Sequence, residues 1–65
     1  MKKCSCSATV ENELQQKNLC DCIKILGGSP VQHGETISVQ YEGEKVDTMI
    51  DLFSNFVDHS IEASG

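Results

Sequence analysis

Two C-x-C pairs, Cys4/Cys6 and Cys20/Cys22, stand in the first third of a chain of only 65 residues. Their placement constrains the fold more than any other feature. A chain this short buries only about 60% of the surface its unfolded form exposes, so small scaffolds often add a metal, disulfides or a partner subunit. One domain, residues 1–65, is the upper limit, and the cysteines are the first candidates for its extra support.

Four thiolates are the right number and type for a tetrahedral zinc site, which contributes folding free energy directly in small domains. The local geometry sets a condition on that site. In an extended segment Cys4 and Cys6 point to the same side, but on a helix Cys20 and Cys22 are about 200° apart, so a shared ion needs residues 20–22 in a turn or at a distorted helix start. Cys4, Cys6, Cys20 and Cys22 are the expected ligands of a structural Zn²⁺. A Cu(I) or redox carrier built on the same thiols is the alternative, and small half-buried side chains with no joint role are the plain one.

Composition narrows the class. The chain is 38% hydrophobic and 23% charged, which is ordinary for a folded domain. Ten acidic residues against five basic ones give a net charge of -5, and phosphate backbones bind through Lys and Arg clusters that are lacking here, so nucleic acid is not expected as a partner. The acidic balance suits a basic protein partner instead. Residues 4–16 supply no apolar signal-peptide core, no run is long enough to span a membrane, and the expected compartment is the cytosol, where thiols stay reduced.

Along the chain, Asn18 reads as an N-cap for a helix over 19–26, with Leu19, Cys22/Ile23 and Leu26 on one face and Gly27-Gly28 then Pro30 as its stop. Val10 and Leu14 are out of phase with that face. Residues 27–35 read as a loop. Ile37, Val39 and Tyr41 alternate with Thr36, Ser38 and Gln40, predicting a half-buried strand; Glu42-Gly43 offers a turn and 44–46 a return strand, so 36–46 is expected to be a hairpin. From Thr48, capped with Asp51, the residues Met49, Ile50, Leu52, Phe53, Phe56, Val57 and Ile61 share half of a helical wheel and predict an amphipathic helix over 48–62.

Two resemblances follow from these motifs. C-x-C, spacer, C-x-C before an apolar helix, over residues 4–26, is similar to the SWIM type of zinc finger, with Cys22 where that family has histidine. ISVQYEGEKVDTMIDLF resembles the strand, turn and helix of the sugar-transport phosphocarrier HPr. That family's active-site histidine followed by arginine is absent, so the resemblance implies no phosphoryl transfer.

The remaining candidates read as surface. His33 and His59 have no partner at diagnostic spacing, and the carboxylates are scattered with no calcium loop or acid/base pair. Ile25-Leu26-Gly27-Gly28 also resembles the double-glycine leader of bacterial secreted peptides, cut after Gly28, though a helix stop explains it at no extra cost. The expected fold is α+β: two helices packed on a β-hairpin in the order β-α-β-β-α, with the cysteine segment alongside. The expected function is a non-catalytic protein-interaction or regulatory module, zinc-stabilised, self-associating through helix 48–62 if it dimerises.

Overall fold

The computed structural model describes residues 2–64. Strand β1, Lys3–Thr9, is built on a pleat that reads directly from the residues: Cys4, Cys6 and Ala8 are buried, while Lys3, Ser5, Ser7 and Thr9 turn to the opposite face. Here the C-x-C spacing is the period of a strand. Cysteine acts in it as a small apolar side chain.

Helix α1 spans Glu13–Ile25 and starts earlier than the sequence predicts, because Asn12 rather than Asn18 caps it. The Asn12 Oδ1 accepts from the Gln15 N–H at 2.8 Å, and the Gln15 Oε1 accepts from the Glu11 N–H at 2.7 Å. This reciprocal pair resembles a capping box. The phase conflict dissolves because Val10 precedes the helix and Leu14 is 70% exposed, leaving Leu19 and Ile23 as the buried stripe. At the other end Gly27 takes φ 94°, its N–H bonds the Lys24 carbonyl, and the Gly28 N–H bonds the Ile23 carbonyl. That is the pattern of a Schellman stop.

The loop expected over 27–35 contains a short strand, β2, Val31–His33, joined to β3, Thr36–Glu42, through Gly34-Glu35. Gly34 at φ 61° supplies the left-handed conformation that a two-residue hairpin turn demands. The hairpin therefore lies at 31–42, not at 36–46. Residues 44–46 lead into helix α2, Val46–Ser54, which buries Val46, Met49 and Phe53. Beyond it the predicted helix gives way to a strand, β4, His59–Ser64.

Two forces account for that change. The Ser54 hydroxyl donates to the Ile50 carbonyl at 2.7 Å and the Asn55 side-chain amide to the Asp51 carbonyl at 3.2 Å, so polar side chains occupy the acceptors of the last turn. Strand β1 also has a second edge to pair, and β4 fills it with Lys3 opposite Ser64 and Ala8 opposite His59. Backbone pairing of β1 thus outweighs the wheel pattern of residues 56–61.

All neighbours in the four-stranded sheet are antiparallel, in the order β2-β3-β1-β4. The element order β-α-β-β-α-β with this strand order is the split βαβ, or ferredoxin-like, arrangement. It is an α+β fold with the cysteine segment at its centre. Both helices lie on one face, where Leu19, Ile23, Met49 and Phe53 close over Cys4, Cys6, Ile37 and Val39. Gly28 sits tightly in that layer, since a Cβ there would come within 2.9 Å of the Ile23 Cγ2 and 3.1 Å of Val39. Gly27-Gly28 thus serves the fold, and a cut after Gly28 would remove the central strand.

Candidate functional site

Strand β1 carries Cys4 and Cys6 beneath the helices, 4% and 2% exposed. Burial, reinforced by the neighbouring Cys4 thiol, pushes the Cys6 thiol up to about 12. A thiol held protonated is a poor nucleophile and a poor metal ligand. Cys20 is half-buried at the margin of the core and Cys22 is exposed, both within regular helix α1. With about 100° per residue their side chains diverge by about 200°.

The four-thiolate set expected from the sequence is therefore not assembled. Among the described residues no three Cys, His, Asp or Glu side chains group closely enough to hold an ion, and all four cysteines are unbridged. The physical reason lies in the two elements: a strand sends Cys4 and Cys6 inward, and an undistorted helix cannot aim Cys20 and Cys22 at one point. Cys22 offers its thiol to solvent, and Cys20 does so in part.

His33 is exposed at the β2–β3 hairpin, and His59 is exposed at the start of β4, where its Nδ1 donates to the Phe56 carbonyl. The carboxylates are spread over the surface. Lys2 and Asp47 approach to 3.7 Å with both side chains largely in solvent, an arrangement that contributes little to stability.

The feature that sequence reasoning missed is the other face of the sheet. Among the described residues no helix covers it, because both pack on the cysteine side. The register sets its side chains in rows: Val31, Ser38, Ser7 and Ser60 in one, Gln40, Ser5 and Glu62 in the next, then Glu42, Lys3 and Ser64. His33, Thr36 and Thr9 complete it. Serine and threonine at these positions make a low-relief platform of hydroxyls, with Lys3 set opposite Glu42 and next to the row that holds Glu62. A shallow recess of about 430 Å³ lies at this corner, lined by Lys3, Ser5, Gln40, Tyr41, Glu62 and Ser64. The alternation of Lys3, Ser5, Ser7 and Thr9 with Cys4, Cys6 and Ala8 was the signal that could have revealed it.

No protein-family model matches this chain. No curated protein and no solved structure matches it either. The candidate site is thus defined by its own geometry.

Proposed function

We propose that this domain is a small non-catalytic interaction module that binds another protein through the open face of its sheet. The observation that carries the reading is the uncovered platform of rows across β2, β3, β1 and β4. Folded domains of this size usually cover one sheet face and solvate the other, and an antiparallel sheet tolerates that well. This face is rich in short hydroxyl side chains, which lose little conformational entropy when a partner covers them.

Catalysis is not part of the reading. A nucleophile needs an activating base beside it and a pocket that excludes water; the Cys4 and Cys6 thiols are buried in the apolar core, and the recess at Lys3 is open. Metal or redox transport is disfavoured on the same ground, since Cys4 and Cys6 are desolvated. The net charge of -5 favours a basic partner surface.

The test is affinity capture from an extract of the source cells, with the wild-type chain beside two variants. Ser7→Arg/Ser38→Arg puts bulk and charge on the platform, and Lys17→Glu/Lys24→Glu alters the exposed side of α1. The expected result is a specific partner that the platform variant loses and the helix variant keeps. A partner retained by the platform variant refutes the reading.

A further inference from the structure

The two edges of the sheet are treated differently. Strand β2 is three residues long and follows directly on Pro30, both devices that blunt an edge. Strand β4 is six residues long and carries neither lysine nor proline. Among the described residues no strand pairs with its outer side, which is an open template for another strand.

Backbone bonds fix which groups of β4 are free. The Thr9 N–H donates to the Asp58 carbonyl at 3.0 Å, while the Val10 N–H donates to the Glu35 carbonyl at 2.8 Å and the Gly43 N–H to the Lys2 carbonyl at 3.0 Å. Odd residues of β1 therefore bond toward β4 and even residues toward β3. With Ser7 opposite Ser60 and Ser5 opposite Glu62, the inward groups of β4 are those of Ser60, Glu62 and Ser64. The N–H and C=O groups of His59, Ile61 and Ala63 point outward.

From this we infer that β4 pairs antiparallel with β4 of a second copy of the chain, about a dyad at Ile61, joining two sheets into one of eight strands. That register sets Ile61 against Ile61 and His59 against Ala63, so all three outward residues of each copy are bonded. Shifting it by two residues leaves one of the three unpaired. It also opposes Glu62 with Ser60 rather than with its own copy.

The side chains beside the edge agree with a partner there. Ile61, Leu52 and Phe56 are half-buried hydrophobics packed against the core, α2 lies against β4, and Val57 is 93% exposed. A second copy covers this apolar strip as it pairs the backbone. An unrelated strand would satisfy the hydrogen bonds equally, but the match of Ile61 with itself and the symmetric spacing of the free groups favour the same chain. The two Glu62 carboxylates lie diagonally across the junction, so salt strengthens the pairing.

The inference is independent of what binds the open face, and its test reads a different quantity. Sedimentation velocity of the full chain over a dilution series, at low and high salt, is expected to show a monomer–dimer equilibrium that salt moves toward dimer. Ala63→Pro removes one outward N–H per copy and leaves the bonds to β1 in place; by symmetry two bonds are lost, and dimerisation weakens about tenfold or more. Ile61→Pro acts at the dyad and abolishes the dimer. Should that variant fail to fold by circular dichroism, Ala63→Pro decides. A chain that stays monomeric at every concentration and salt level overturns the inference, as does a dimer that Ala63→Pro leaves unchanged.

Discussion

Replacing Cys6 by alanine separates a core thiol from a metal ligand, because the two roles give stability opposite dependences on pH. In the folded chain burial, with Cys4 beside it, pushes the Cys6 thiol from 9.0 up to about 12. The unfolded chain releases that proton near its ordinary value. Between about pH 9 and about pH 12 the unfolded state then binds fewer protons than the folded one, so the stability is fully present below about pH 9 and declines above it. Three units at about 1.4 kcal/mol each set an upper limit of about 4 kcal/mol, against a total of roughly 3–10 kcal/mol for a domain of this length. Wild-type protein is therefore expected to unfold in alkali.

The measurement is urea unfolding over a pH series under reducing conditions. Near neutrality Cys6→Ala costs about 1–2 kcal/mol, the loss of a buried sulfur and the small void it leaves. Its curve then stays flatter above about pH 9, so the two proteins converge and cross. A zinc-thiolate role predicts the reverse, with stability lost on acidification as ligands take up protons. Equal alkaline slopes in both proteins would refute the assignment of Cys6 to the desolvated core.

Three further outcomes are expected. Gly28→Ala drives a methyl against Ile23, Met49 and Val39 and lowers stability by about 1–2 kcal/mol in thermal or urea unfolding, after the entropic gain of replacing glycine; a neutral result would mean that the layer around Gly28 yields easily. Asn12→Ala removes the α1 cap and costs about 1 kcal/mol, whereas Asn18→Ala in the helix interior costs far less; equal losses would reject the cap assignment. Thiol labelling of native protein is expected to modify Cys22 first and Cys20 more slowly, with Cys4 and Cys6 reacting only on unfolding; fast labelling at Cys4 contradicts the burial of β1.

Strand β3 and the first half of the C-terminal helix were legible because Ile37, Val39, Met49 and Phe53 follow the periods of their elements and are buried as those periods require. The α1 boundary was not, since Leu14 is an exposed apolar residue that carries no phase information. Strand β1 was legible in outline, since the expected order β-α-β-β-α begins with the cysteine segment and an extended Cys4-Ser5-Cys6 sends both thiols to one side; its burial at the centre of the sheet was not. Strand β4 was hidden by pairing. Phe56, Val57 and Ile61 fit a helical wheel, yet Val57 lies almost wholly in solvent and Ile61 sits opposite Cys6, a placement set by the needs of a strand far away in the chain. The open face escaped notice for the same reason, because rows such as Ser38, Ser7 and Ser60 exist only once the register is known.

The central position of β1 has a consequence for how the molecule comes into being. Its two neighbours are residues 36–42 and 59–64, so β1 pairs only with strands made well after it, and its second flank closes only once β4 is available. Such long-range closure slows folding and leaves β1 an unpaired template on the ribosome until residues 59–64 have emerged. Loss of β4 would leave β1 as a raw, cysteine-bearing margin, and chains cut before residue 59 are expected to aggregate where chains that keep β4 do not.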